Sequence, residues 1–295
     1  MPQTTAIAAN RAQPRRDTIG AYPAVRPIDQ QTILITGATD GLGRALAIDL
    51  AARGARLIVH GRDGGRIAAA LTEVRTAGPG QPHLGYRADL ASLDQVRTLA
   101  EEVLRDQPDL HALVNNAGIG STVPGGEARL ESADGHELRF AVNYLAGFLL
   151  TALLKDRLVA SGRARIVNVS SLGQRPIDFD DVMLTRSYDG VRAYCQSKLA
   201  QIMMTIDLAA ELEGTGVTVN ALHPATFMPT KMVASPISPL EEGVEATSRL
   251  VRDEALDGVT GRFFNGLREA EANPQAYDKS ARARLRDVSS RLTAL

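Results

Sequence analysis

The sequence predicts an α/β protein with one doubly wound parallel β-sheet, and two observations support this fold class. From residue 29 onward, short β-rich runs alternate with longer stretches in which apolar residues recur three and four positions apart. This alternation of strand and helix indicates βαβ units. Most of the short runs are apolar throughout, as in strands that helices cover on both faces. No repeat or composition break interrupts the pattern, so residues 29–295 are predicted to form a single domain.

Six short runs are predicted strands, and a seventh run is a candidate. They are Thr32–Thr36, Arg56–Val59, His83–Tyr86, Leu110–Val114, Arg165–Val169, Val217–Leu222 and the candidate Thr260–Phe264. Helical spacing is clear over residues 42–50 and 96–104. The tail of the chain has amphipathic spacing, which predicts a C-terminal helix over about residues 275–293.

Composition and charge exclude several classes of protein. The chain has 295 residues, with 33 basic and 34 acidic side chains, which argues against binding to nucleic acid or to an anionic membrane surface. A single cysteine excludes an intramolecular disulfide framework, and five histidines without ligand spacing indicate no metal site. No run of 18 apolar residues is present, so no transmembrane segment is expected.

Residues 1–28 are predicted to form a flexible N-terminal arm. They are rich in proline and lack the apolar stretch of a secretory signal. We therefore expect a cytoplasmic protein.

The first predicted strand leads into a glycine turn with the sequence TGATDGLG, and a helical pattern follows at once. Glycines let the backbone turn sharply and approach a pyrophosphate, and the N-terminus of the next helix offers N–H groups to the anion. The spacing Gly-x3-Gly-x-Gly indicates a dinucleotide loop of a Rossmann fold, of a subtype other than G-x-G-x-x-G; a purely structural turn is the alternative. The candidate cofactor-binding residues of this turn are Gly37, Thr39, Asp40, Gly41, Leu42 and Gly43.

The end of the second strand indicates which dinucleotide binds. An acidic residue there would hold the 2′-hydroxyl of NAD, whereas an arginine accommodates the 2′-phosphate of NADP. His60 and Gly61 occupy the positions where an acid would be expected, and Arg62 follows, so NADP(H) is favoured over NAD(H). Asp63 leaves an alternative open, because a shift of one or two residues would present its carboxylate; it could instead cap the next helix.

Tyr194 and Lys198 lie four positions apart in a helical stretch. This spacing puts them on one helix face, so that the ammonium lies beside the phenol and stabilises the phenolate. A phenol whose pKa is brought toward neutrality can act as a general acid or base. The pair is common by chance, but in combination with the glycine turn it becomes specific.

Four motifs, in this order, resemble the short-chain dehydrogenase/reductase family. They are TGATDGLG at residues 36–43, NNAG at 115–118, RIVNVSS at 165–171 and YCQSK at 194–198. The resemblance covers about residues 30–265, and it is greatest to the branch that contains the retinol dehydrogenases and protochlorophyllide oxidoreductase. It implies an NAD(P)-dependent oxidoreductase.

The resemblance implies a role for each catalytic residue. Tyr194 would be the general acid/base, and Lys198 would hold the nicotinamide ribose and lower the tyrosine pKa. Ser171 would bind the substrate oxygen, with Ser170 as the alternative. Asn143 would position the lysine-bound water of a proton relay.

The resemblance also implies contacts to the cofactor. Asp89, followed by Leu90, would read the adenine edge, and Asn115 would lie beside the adenosine ribose. After the sixth strand the family usually has Pro-Gly, whereas this chain has alanine at residue 225, which removes a permissive backbone position. The further cofactor-binding residues that the resemblance implies are Asn116, Ala117, Gly118, Pro224, Thr230 and, as its competitor, Thr226.

The sequence thus predicts an NADP(H)-dependent enzyme that interconverts an alcohol and its carbonyl, as a homodimer or homotetramer. Apolar residues in the spacer 172–193 and in a predicted substrate loop over about residues 225–245 suggest a bulky lipophilic substrate; they are Phe179, Val182, Met183, Phe227, Met228 and Met232. Two rivals stay open: a reductase of a conjugated carbon–carbon double bond, and a binding protein that senses NADP(H) without turnover.

Overall fold

The computed structural model describes residues 26–120, 128–230 and 235–295, and these residues form one sheet of eight strands. The strands are β1 (Thr32–Ile35), β2 (Arg56–Gly61), β3 (Leu84–Arg87), β4 (Ala112–Asn115), β5 (Arg165–Val169), β6 (Thr218–His223), β7 (Phe263–Asn265) and β8 (Arg268–Ala270). Their order is β3-β2-β1-β4-β5-β6-β7-β8, with β1 to β7 parallel and β8 antiparallel to β7. This arrangement confirms the predicted doubly wound parallel sheet.

The strand order determines where a ligand can bind. The chain runs outward from β1 to β3 and then returns to β4 on the other side of β1. In open α/β sheets, ligands bind outside the carboxyl ends of the strands at the point where the order reverses, which is here between β1 and β4.

Seven helices accompany the sheet in the part of the chain that the structure describes. They are α1 (Gly41–Ala52), α2 (Gly64–Ala77), α3 (Leu93–Asp106), α4 (Leu138–Ala160), α5 (Gly190–Glu211), α6 (Leu240–Arg252) and α7 (Lys279–Thr293). One face of the sheet carries α1, α2 and α6, and the other carries α3, α4 and α5, with α7 packed on α5. Strands β1, β4 and β5 are therefore buried along their whole length, which explains their apolar runs.

Aspartate and serine side chains begin several of these helices. Asp40, Asp63, Ser92 and Asp189 each accept a hydrogen bond from a backbone N–H of the first turn. Such caps satisfy amides that have no partner inside the helix, and they fix where each helix begins.

Helix α4 is long and apolar enough to cross a membrane by length and composition alone. Of its most apolar window, 61% is buried inside the protein, where the helix packs between α3 and α5. These contacts are those of a core helix.

The predicted N-terminal arm and substrate loop are described only in part, whereas the predicted C-terminal helix is described in full. Residues 1–25 of the predicted arm and residues 231–234 of the predicted substrate loop fall outside the described residues. Helix α6 begins at Leu240, inside the predicted loop, and α7 begins at Lys279, after a 3-10 turn over Pro274–Tyr277.

Candidate active site

The glycine turn lies at the carboxyl end of β1, in the crevice beside β4. Gly37 and Gly41 adopt φ angles of +66° and +49°, which side chains with a Cβ rarely adopt. A Cβ on Gly43 would lie 2.5 Å from the Gly37 carbonyl oxygen and would also clash with the Asn116 amide. Asp40 caps Gly41 at 2.9 Å, and Leu42 is buried. The turn therefore requires glycine on steric grounds and presents the first turn of α1 to the crevice.

The NNAG segment after β4 is bonded directly to this turn. The Thr36 hydroxyl accepts from the backbone N–H groups of Asn116 and Ala117, both at 3.0 Å. The Asn116 side chain donates to the Thr36 carbonyl at 2.8 Å. The structure thus brings these two predicted cofactor segments together.

Asn115 lies deeper than predicted. Its side chain is 4% exposed, and its Nδ2 donates to Thr151 and Asn168 at 3.0 and 2.8 Å. Its Oδ1 has no partner among the described residues and lies at a small cavity that Leu90 also lines. These contacts connect strands and helices inside the core.

Tyr194 and Ser171 lie together at the carboxyl end of β5: a Cβ on Gly173 would lie 3.5 Å from Ser171 Oγ and 3.6 Å from Tyr194 Cε1. The adjacent Ser170 points elsewhere, because its hydroxyl donates to the Lys198 carbonyl at 2.7 Å. Burial raises the pKa of Tyr194, and the neighbouring Ser171 hydroxyl acts in the opposite direction. The structure therefore places Ser171, not Ser170, beside the phenol.

Lys198 lies behind the tyrosine and is 4% exposed. Its Nζ donates to the Val169 carbonyl at 2.8 Å and to Gln201 Oε1 at 3.0 Å, and it lies 5.8 Å from the centre of the Tyr194 ring. Burial lowers the pKa of Lys198 to about 7. The raised pKa of Tyr194 reflects burial of the phenol, and the expected lowering by Lys198 stays a prediction.

Asn143 lies in a π-helical turn of α4, Ala141–Leu145. Its Oδ1 accepts from Ile119 N at 2.6 Å, and its Nδ2 donates to Ile119 O at 3.1 Å and to Ser197 Oγ at 3.0 Å. A Cβ on Gly118 would lie 3.3 Å from Asn143 Oδ1 and 3.5 Å from Lys198 Nζ. Asn143 thus holds the Gly118–Ile119 backbone against the lysine.

The end of β2 is followed by an arginine and by an aspartate that caps the next helix. Arg62 is exposed, and its carbonyl accepts from the Arg87 side chain at 3.2 Å. Asp63 caps α2 by accepting from Arg66 N at 2.8 Å. Gly61 makes room for Thr39 of the glycine turn, whose Cγ2 would lie 2.6 Å from a Cβ at this position.

Asp89 and Leu90 follow β3 at the same edge of the sheet. One Asp89 carboxylate oxygen accepts from Ala91 N at 3.0 Å, and Leu90 is 7% exposed. The carboxylate therefore shapes its own loop.

The loop after β6 separates the two candidate threonines. A Cβ on Gly41 would lie 3.1 Å from Thr230 Cγ2, so Thr230 lies directly over the glycine turn. Thr226 Oγ1 instead bonds His223 Nε2 at 3.1 Å, just beyond Pro224. The structure thus places Thr230, rather than Thr226, beside the glycine turn.

Several apolar residues that suggested a substrate pocket pack into the protein instead. Phe179, Val182 and Met183 lie against the core on the α3–α5 face, and Met228 packs against Gly243 of α6. Phe227 is different: it is 58% exposed, with φ of +48°. Met232 lies outside the described residues.

Sequence reasoning missed several residues that order this site. Gln201 bonds Lys198, Ser197 bonds Asn143, and the Thr36 hydroxyl accepts from two backbone amides. Gln201 lies three positions after Lys198, so helical spacing could have indicated it. The other contacts join segments distant in sequence, and no local pattern marks them.

The chain matches the sequence model of a family described as short chain dehydrogenase over residues 31–239. It is 37% identical to retinol dehydrogenase 13 of Mus musculus over 297 residues, covering 94% of this chain and 87% of that protein. It is also 37% identical to retinol dehydrogenase 14 of Homo sapiens, covering 90% and 87%.

Solved structures of the same family superpose on this fold. A short chain dehydrogenase from Pseudomonas syringae has a TM-score of 0.67 at 28% identity, covering 83% of this chain and 98% of that chain. A short chain dehydrogenase from Shigella flexneri, in complex with NADP, has a TM-score of 0.64 at 26% identity, covering 80% and 97%. With its four motifs gathered at one edge of the sheet, the chain belongs to the short-chain dehydrogenase/reductase family of oxidoreductase enzymes, in the retinol dehydrogenase-like branch.

Proposed function

We propose that this enzyme is an NADP(H)-dependent oxidoreductase that interconverts an alcohol and its carbonyl on a bulky lipophilic substrate. The observation that carries the proposal is the meeting of Tyr194, Ser171 and Lys198 at the carboxyl end of β5, with Lys198 beside Gly118 of the NNAG segment that is bonded to the glycine turn. When bound, the nicotinamide ring donates or accepts the hydride.

The residues present fit a dinucleotide. The turn at Gly37–Gly43 leaves no room for a Cβ at Gly43, and its backbone begins a helix, as a pyrophosphate site requires. Gly118 leaves space beside Lys198 Nζ, because a Cβ at this position would lie 3.5 Å from that atom. In its ammonium form, Lys198 uses two protons for Val169 and Gln201, which leaves its third N–H to hold a ribose hydroxyl.

Tyr194 would move the proton at its hydroxyl. A buried phenol with a raised pKa is protonated at neutral pH and is ready to donate to a developing alkoxide. Ser171 Oγ accepts from Gly173 N at 3.0 Å, and its single hydroxyl proton would be donated to the substrate oxygen. Asn143 would act by position, since its side-chain bonds hold Gly118 and Ile119 over the lysine.

The preference for NADP(H) rests on the charges at the end of β2. Arg62 is exposed there, Arg87 is held beside it, and Asp63 is occupied as a helix cap. Two guanidinium groups favour a 2′-phosphate, and Gly61 offers no carboxylate to a 2′-hydroxyl. The NADP complex of the Shigella flexneri relative supports the same choice.

A lipophilic substrate is supported by exposed apolar side chains around the catalytic residues. Leu172 follows Ser171, and Val191 lies one helical turn before Tyr194. Phe227 is exposed on the loop after β6, and its carbonyl accepts from Ile237 N at 2.8 Å. The names of the relatives, retinol dehydrogenases, point to a long apolar alcohol of this kind.

A panel of carbonyls tests the proposal, with long-chain or polycyclic aldehydes and ketones set against small polar ones, each with NADPH and with NADH. We expect turnover of the lipophilic carbonyls to the alcohol, with kcat/KM at least about tenfold higher for NADPH. Reduction of a conjugated double bond with the carbonyl intact would contradict the proposed interconversion of alcohol and carbonyl. Tight NADPH binding without turnover of any carbonyl would contradict the proposal that the protein is an enzyme for such substrates. A dimer or tetramer and a cytoplasmic location stay predictions of the sequence.

A further inference from the structure

His60 is the next-to-last residue of β2 and lies beside the glycine turn. Both of its ring nitrogens bind backbone groups. Its Nδ1 accepts from Gly37 N at 3.2 Å, and its Nε2 bonds the Ala88 carbonyl at 3.1 Å. Its own carbonyl accepts from Ala38 N at 2.9 Å. The side chain is 2% exposed, so no solvent replaces these partners.

These bonds fix the form of the ring. A carbonyl oxygen can only accept, so Nε2 carries the proton, and an amide N–H can only donate, so Nδ1 is unprotonated. Burial lowers the pKa of His60 to about 4, although the nearby Asp89 carboxylate acts in the opposite direction. The imidazole is therefore neutral at pH 7, in one tautomer.

The two partners belong to different parts of the proposed cofactor site. Gly37 begins the glycine turn, and Ala88 precedes Asp89 and Leu90 at the end of β3. In the proposed function these segments hold the pyrophosphate and the adenine. The imidazole thus bonds directly to both the segment proposed to hold the pyrophosphate and the segment proposed to hold the adenine.

We propose that His60 is a positioning residue for dinucleotide binding: its neutral imidazole holds the glycine turn and the Ala88–Leu90 segment at the spacing that receives the dinucleotide. This inference rests on the proposed NADP(H) site and adds to it a residue that touches no part of the cofactor itself.

The chain offers a matched comparison in His83. This ring is also 2% exposed; its Nδ1 accepts from Leu57 N at 3.1 Å and its Nε2 bonds the Gly78 carbonyl at 2.9 Å. Its partners lie where β2 begins and where α2 ends, at the opposite edge of the sheet. His83 therefore makes the same two bonds away from the proposed cofactor site.

The test compares His60→Leu with His83→Leu, using the NADPH Kd from fluorescence titration and the Tm of the protein without cofactor. Both substitutions remove two buried bonds, so we expect both to lower Tm. Only His60→Leu should weaken NADPH binding, by about tenfold or more, while the Kd of His83→Leu stays within about twofold of wild type.

Two milder variants keep the test decisive if His60→Leu does not fold. His60→Asn keeps an acceptor near Gly37 N, and His60→Gln keeps a donor near Ala88 O, so each should restore part of the NADPH affinity. An unchanged Kd in every His60 variant would overturn the inference, as would an equal loss of affinity in His83→Leu. Failure of the wild-type protein to bind either dinucleotide would instead overturn the proposed function.

Discussion

Tyr194 shows how burial and neighbouring groups compete at a single side chain. The sequence predicts a phenol whose pKa is lowered by Lys198. In the structure the lysine Nζ lies 5.8 Å from the ring centre, and burial raises the pKa of the phenol while the Ser171 hydroxyl opposes this shift. The phenol is therefore protonated at neutral pH, which is the form that the proposed role of proton donor requires.

The two serines after β5 give a prediction at the residue scale. Ser171→Ala removes the hydroxyl that lies beside Tyr194 and is proposed to bind the substrate oxygen, and we expect kcat/KM to fall about a hundredfold. Ser170→Ala removes a buried bond to the Lys198 carbonyl, and we expect a loss of about 1 kcal/mol in unfolding free energy with a much smaller kinetic effect. Steady-state kinetics and urea unfolding of both variants check this, and reversed effects would exchange the two roles.

Individual site residues differ in how far the sequence could predict them. Tyr194 and Lys198 carry their own signal, because a four-residue spacing on a helix needs no knowledge of the rest of the fold. His60 carries none, since it is meaningful only once β1 and β3 have been placed on either side of β2. The choice of Ser171 over Ser170 depends on the path of the chain after β5, which no alternation pattern determines.

At the scale of elements, the glycine turn is the most constrained segment of the site. Gly43 lies against the Gly37 carbonyl, whereas a Cβ on Gly64, in the first turn of α2, would meet no atom within 4 Å. The two glycines therefore separate a steric requirement of the glycine turn from the general effect of adding a methyl group to a helix.

We expect Gly43→Ala to displace the turn and to raise the NADPH Kd at least about tenfold. Gly64→Ala should leave the Kd within about twofold and should slightly raise the Tm, because alanine favours the helix. Isothermal titration with NADPH measures both. Equal affinities in the two variants would show that the turn does not contact the dinucleotide.

The strands and helices were predictable to different degrees. Buried strands such as β5 match their apolar runs from end to end, because both faces of the sheet are covered. The short β8 has two charged residues among three and forms only by pairing with β7, so the sequence does not mark it. The sequence does not indicate the π turn of α4 either, because its residues suit an ordinary α-helix.

At the scale of the whole molecule, buried histidines link stability to pH. Burial lowers the pKa of His60 to about 4 and also lowers the pKa values of His111 and His223. An unfolded chain binds protons at these groups at a higher pH than the folded chain does. The contribution of these neutral histidines to the free energy of unfolding is therefore complete above the unfolded histidine pKa of about 6.5. It is lost as the pH falls toward 4.

For His60 alone, the loss over this window is about 3 kcal/mol. We expect urea unfolding to show a clear decrease in free energy between about pH 7.5 and about pH 4.5, and a smaller decrease in His60→Leu, which cannot take up the proton. The same dependence in wild type and variant would show that other groups account for it.

The active site as a whole is assembled from segments that follow β1, β4, β5 and β6, together with α5. Only the complete sheet brings Tyr194, Ser171 and Lys198 to the glycine turn. Their joint presence supports catalysis, since a protein that only binds a dinucleotide has no need of a phenol beside a serine and a lysine.

The most direct measurement of the central claim compares turnover and NADPH binding in Tyr194→Phe. The substitution removes only the hydroxyl, so the fold and the dinucleotide site should persist. We predict that turnover of a lipophilic carbonyl falls about a thousandfold or more while the NADPH Kd stays within about twofold of wild type. Residual turnover above about a tenth of the wild-type rate would contradict the assignment of Tyr194 as the proton donor.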